Sequence, residues 1–132
     1  MPRNTCYTYF RIIGHFPPEK VTAFLELVPD QIIKEGDMRK SGRRADVSSW
    51  VFGGCLEYDV YTENQMRTTV APLLDKIDRL NEIREKFDVE FYLQIVPIVH
   101  GDEPTPALAP PMDIIDFCYA TRTQIDIDLY VE

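Results

Sequence analysis

Apolar and polar positions alternate with a period of two at both ends of the chain. At the start, Cys6, Thr8, Phe10 and Ile12 fall on one side and Tyr7, Tyr9 and Arg11 on the other, which predicts a strand over residues 4–13. At the close, Ile125, Ile127, Leu129 and Val131 alternate with Gln124, Asp126, Asp128 and Tyr130, a half-buried strand by the same rule. Between them, Val89, Phe91, Leu93 and Ile95 alternate with Glu90, Tyr92, Gln94 and Val96, the clearest inner strand, over 88–96. Pro97 has no N–H for a ladder, so the strand is expected to end there or to reach a sheet edge.

The pattern changes period elsewhere. After the break at Gly14–Pro18, Val21, Phe24, Leu25 and Val28 repeat at helical spacing, and Pro29 is expected to end that helix. Residues 31–39 read as a second strand, weakened by Gly36-Asp37, and Arg39–Arg44 as the turn after it. A third strand is expected from Asp46 to Tyr61. Gly53-Gly54 inside it is either a tight turn or a bulge, and the bulge is preferred because the flanking pieces are short for separate strands. Thr62 and Gln65 have the spacing of a capping box. Met66, Val70, Leu73, Leu74, Ile77, Leu80, Ile83 and Phe87 then mark one long stripe. Pro72 lies within it and predicts a kink or two consecutive helices. His100–Pro110 reads as a proline-rich loop, and Pro111 opens a short helix to about Ala120.

The element order is β-α-β-β-α-β-α-β. Its first six members match the split βαβ motif, and two singly striped helices suit one face of an antiparallel sheet. The expected fold is therefore α+β, a ferredoxin-like βαββαβ antiparallel sheet with an added C-terminal helix and strand, in a single domain over 1–132. The local pattern does not place the added pair.

Composition narrows the partners. A chain of 132 residues hides about two thirds of its unfolded surface and needs no metal or disulfide to fold. Cys6, Cys55 and Cys118 are odd in number and far apart, which fits neither a disulfide framework nor a zinc motif, so three buried apolar thiols are expected. The opening MPRNTCYTYFRIIGH has no long apolar stretch, and the cytoplasm is the expected compartment. A net charge of -8 disfavours nucleic acid and anionic membranes and suits a basic protein partner. A second copy of the chain is the other candidate partner. No cofactor or metal motif is found.

Candidate chemistry is sparse. Asp126 and Asp128 would lie about 7 Å apart on one strand face, with Tyr130 continuing it, where two carboxylates could share a divalent cation or act as an acid/base pair. Arg39, Lys40, Arg43 and Arg44 place four cations within six residues, a turn suited to an anion or to the acidic face of a partner. Tyr7, Tyr9 and Trp50 are candidates for a partner surface. His15 and His100 each follow a strand, and the ferredoxin-like order would hold them apart. Ser48-Ser49 has no nucleophile elbow around it.

The FRIIG strand at Phe10–Gly14, KEGD at Lys34–Asp37, Trp50, LLDKID at Leu73–Asp78 and the closing IDIDLY at Ile125–Tyr130 together resemble a bacterial family known only as a domain of unknown function, numbered 4279. The similarity covers nearly the whole chain, and the closing strand is its most specific element. The resemblance implies an intracellular bacterial domain and supplies no activity, cofactor or catalytic residue. Two functions are thus expected to compete. One is a small non-catalytic protein-binding domain, immunity- or adaptor-like. The other is an enzyme that binds a small ligand or divalent metal through the carboxylates of the C-terminal strand.

Overall fold

A computed structural model describes residues 4–57, 62–101, 103 and 108–132, leaving aside the side chains of 55–57. The elements are β1 (Thr5–His15), α1 (Pro18–Leu25), β2 (Gln31–Ile33), β3 (Ser48–Glu57), α2 (Thr62–Val70), a 3₁₀ stretch (Ala71–Lys76), α3 (Ile77–Lys86), β4 (Asp88–Val99), α4 (Met112–Thr121), β5 (Gln124–Ile127) and β6 (Tyr130–Val131). They form a mixed α/β structure around a six-stranded, mostly antiparallel sheet. The strand order is β2-β3-β1-β4-β5, with β6 following β5 along the edge of β4. Only the β4–β5 and β4–β6 pairs are parallel. No helix among the described residues is long and apolar enough to cross a membrane.

Alternation in β1 dictates what lies on each face. Cys6, Thr8, Phe10 and Ile12 are buried beneath the helices, whereas Tyr7, Tyr9, Arg11 and Ile13 are only partly covered. Phe10 packs edge-on against Phe91 of β4 at 5.6 Å and Phe117 of α4 at 6.4 Å between ring centres. The added helix therefore joins the same side as the others. Burying a Phe or Leu side chain contributes roughly 1.5–3 kcal/mol, so this side carries the stability of the sheet.

The preferred bulge is present. Thr8 pairs with Cys55 and Phe10 with Phe52, so Gly53 and Gly54 together face Tyr9. Gly53 has φ +76°, and a Cβ there would meet the Thr69 methyl at 3.1 Å. The bulge displaces ladder groups, and side chains satisfy them. Thr69 Oγ1 lies 3.3 Å from Thr8 O and 3.2 Å from Gly53 O, and its proton serves both. Gly54 N–H donates to Asp30 Oδ2 at 2.6 Å. Beside them, Gln65 Nε2 donates to Cys6 O and Gln65 Oε1 accepts from Thr8 Oγ1. The Gln65 amide thus binds the sheet rather than reaching back along its helix as the capping-box spacing predicts.

Other expectations need correction. The first helix stops at Leu25, where Glu26 takes a left-handed conformation at φ 56° and its N–H closes onto Thr22 O. Val28 falls outside it and is exposed. β2 is three residues long, not nine, because the chain turns at Lys34–Asp37. The long helix breaks at Pro72 as expected, through the 3₁₀ stretch, which rotates Leu74 into solvent. β4 continues through Pro97. Ile95 O and Val99 O both accept bonds from the β5–β6 segment, so Pro97 turns its nitrogen toward the interval between β5 and β6, where no donor is needed. The closing strand is split there. Only Ile125 packs on the core; Ile127, Leu129 and Val131 are exposed, because no described element covers that edge. Cys6 and Cys118 are buried, whereas the Cys55 side chain, the end of the third strand at 58–61 and most of the proline-rich loop (102 and 104–107) lie outside the description.

Two substitutions test this packing. Thr69→Val keeps shape but strands two carbonyls, and it should lower unfolding free energy by about 1–3 kcal/mol in urea titration, with Thr69→Ser close to wild type. At Gly14 (φ +149°), a Cβ would sit 2.1 Å from Asp88 O across the β1–β4 ladder. Gly14→Ala should therefore destabilise by at least about 1–3 kcal/mol in the same assay.

Candidate functional site

The face of the sheet opposite the helices is uncovered by any described helix, and its floor is β1. Tyr7 and Tyr9 stand two residues apart on it with rings stacked at 5.9 Å and 12°. Arg11 follows them, paired across the ladder with Tyr92 of β4 and Val51 of β3.

The basic turn rises beside this floor, and it is an ordered hairpin. Arg39 N–H donates to Arg43 O at 2.8 Å, Ala45 N–H to Asp37 O at 2.8 Å and Gly36 N–H to Ala45 O at 2.8 Å. Arg44 Nη1 donates to Gly36 O at 3.0 Å, which ties its guanidinium to the hairpin stem. Glu35 N–H is anchored on Ser48 Oγ at 2.9 Å. Between hairpin and sheet lies a groove of about 910 Å³. Tyr7, Tyr9 and Arg11 line it from the sheet, and Arg39, Arg43 and Arg44 from the hairpin. Asp30 and Asp46 also reach it, so arginines outnumber carboxylates on its walls. Among the described residues, the side chains of Arg11, Arg39 and Arg43 have no hydrogen-bond or ion-pair partner. Lys40 does not line this groove but a smaller hollow of about 510 Å³, with Met38 and Gln31.

The carboxylate candidates sit on the far half of the same face. A second hollow of about 460 Å³ is shared by Arg11, Glu90, Tyr92, Gln94 and Asp126. Asp126 accepts from Gln94 Nε2 at 3.0 Å, and Asp128 from the Tyr130 hydroxyl at 3.1 Å. β5 ends at Ile127, so regular alternation does not carry from Asp126 to Asp128. No group of three His, Cys, Asp or Glu able to hold a metal occurs among the described residues.

Tyrosine acidities record this layout. Desolvation pushes the Tyr9 phenol above its usual value; Arg11 opposes the shift, while Tyr7, Asp128 and Asp126 add to it. The Tyr92 and Tyr130 phenols are raised chiefly by their hydrogen bonds to Glu90 and Asp128. One face therefore carries the tyrosine pair, the arginines and the closing carboxylates.

Trp50 does not belong to it. Trp50 lies on the helix side, fully buried, stacked on Phe52 at 5.7 Å, and its Nε1 donates to Thr22 Oγ1 at 2.9 Å. Its register partner is Ile12, which fixes its side. The histidines lie at opposite ends of β1: His15 contacts Glu35 at 2.5 Å, and His100 N–H donates to Asn4 Oδ1 at 2.8 Å. Burial pushes the Cys118 thiol up to about 11, which disarms it as a nucleophile. Local pattern does not single out Asp30, Asp46 or Gln94; only the register of β2, β3 and β5 against β1 and β4 brings them to the site.

The sequence profile of a family described as Domain of unknown function (DUF4279) matches residues 4–132, and the chain belongs to that family. No curated protein and no solved structure matches it.

Removing Arg11 deletes the cation that favours the Tyr9 phenolate. Arg11→Ala should therefore move the Tyr9 titration further upward, followed by the tyrosine Cζ resonance in carbon NMR. Because the folded state already holds this proton more tightly than the unfolded chain, Tyr9 contributes stability that is present below about pH 10 and lost as pH rises through its folded pKa. An unchanged Tyr9 titration would separate the two groups.

Proposed function

We propose that this member of the DUF4279 family is a non-catalytic protein-binding domain, adaptor- or immunity-like, whose open sheet face receives an acidic segment of a protein partner. The observation that carries the reading is the meeting of the Tyr7–Tyr9 stack with three unpartnered arginines in one groove. Arginine forks pair with carboxylates in two bonds at once, and stacked tyrosines offer rigid contact area at small entropic cost.

Net charge alone points to a basic partner. At contact distance the local field decides, since salt screens charges beyond about 8 Å under physiological conditions. We read the first six elements as a ferredoxin-like unit within a single domain. The order β2-β3-β1-β4 and the helices gathered on one face support that reading, with β5 and β6 as a parallel extension. We take the bacterial cytoplasm as its setting, on the family resemblance drawn from the sequence.

The test is fluorescence anisotropy with a labelled peptide rich in Asp, Glu and aromatic residues. Binding should weaken at least tenfold in Arg11→Ala/Arg39→Ala/Arg43→Ala and fall steeply with salt, while Lys40→Ala changes little. Equal affinity in the triple variant, or preference for single-stranded RNA over any acidic peptide, would overturn it.

A further inference from the structure

We infer that the partner received by this groove is a second copy of the same chain, and that two copies pack open face to open face. The inference rests on the groove reading above and names its occupant.

Charge is divided across the open face along the strand order. Arg39, Arg43 and Arg44 outnumber Asp30 and Asp46 at the β2–β3 side, and Glu90, Asp126 and Asp128 stand at the β4–β5 side, with Arg11 on β1 between them. The Tyr9 phenol feels both halves, Arg11 lowering its pKa and the two aspartates raising it. A face divided in this way is complementary to itself under one two-fold rotation. An axis running parallel to the strands, above the middle of the sheet, sends each basic half over the other copy's acidic half, and does so twice. An axis across the strands would set arginine over arginine. The charge pattern thus selects one of the two arrangements, with strand directions in the two sheets roughly aligned, as face-packed sheets prefer.

Shape and exposure point to the same occupant. The hairpin makes the basic half concave, and the acidic half ends at the β5–β6 edge of the sheet. On that edge Tyr130 is exposed and, paired with Ile98, lies on the open side, whereas Ile127 and Val131, paired with Ile95 and Val99, lie on the helix side. The second copy's hairpin would hang over this edge, bringing Arg39 and Arg43 toward Asp126 and Asp128 and laying each Tyr7–Tyr9 stack over the other copy's stack.

Charge reversal in the full chain tests the arrangement. Light scattering coupled to gel filtration should show a wild-type dimer that weakens at least tenfold between 50 and 500 mM salt. Arg39→Glu/Arg43→Glu and Asp126→Arg/Asp128→Arg should each be monomeric alone, because each leaves both halves of the face with the same predominant sign. Mixed together they should form a heterodimer, since both contacts become opposite in sign. These positions are exposed, and circular dichroism melting checks that each variant is folded. A wild-type monomer that still binds the acidic peptide would overturn the inference and leave the groove reading standing. A monomer that binds no such peptide would overturn both. A dimer indifferent to salt and to either reversal uses another surface and also overturns it.

Discussion

One-sided burial of the central strand is the constraint on which the rest of the structure depends. β1 has neighbours on both edges and helices on one face only. Its even-numbered side chains are sealed among apolar residues, so the ladder cannot slip by one position without exposing Phe10 and Ile12 and burying Arg11. The same period that secures the core therefore fixes Tyr7, Tyr9 and Arg11 on the opposite side. Function, on this account, is built from what the core leaves out.

The Gly53-Gly54 bulge lies beside the groove that the hairpin forms over that open face, with Gly54 on its wall. An extra residue in β3 increases local twist and bends the strand beside the start of β2. The helix and the loop before β2 then complete the hydrogen bonds that the bulge breaks: Thr69 takes two carbonyls and Asp30 takes the Gly54 N–H. Asp30 also donates its own N–H to Val51 O, so one residue ties the start of β2 to both sides of the bulge. The hairpin beyond β2 is held above the sheet by this arrangement and by Ser48.

Much of this was legible in the sequence, because period-two alternation reports directly which side chains share a face. That rule placed β1, β4 and β5, and glycine and proline marked the bulge and the helix break. It failed where register matters more than period. Trp50 joins Tyr7 and Tyr9 only if β3 is set beside β1 one residue out of place; the observed pairing with Ile12 puts it in the core. The closing segment alternates cleanly yet stays mostly wet, since alternation says which side would be dry and not whether anything covers it. The groove itself was hidden for a similar reason. Its hairpin arginines and its tyrosines are about thirty residues apart along the chain, and only the packing of β2 and β3 beside β1 unites them.

The central claim is that the odd-numbered side of β1 is an open binding face and not a second core. Solvent paramagnetic relaxation, measured at high salt where charge-driven contacts are screened, reads this residue by residue. The account predicts strong relaxation of the Tyr7 and Tyr9 ring protons and none at Phe10 or Trp50. Tyrosine rings as protected as Trp50 under those conditions would contradict it.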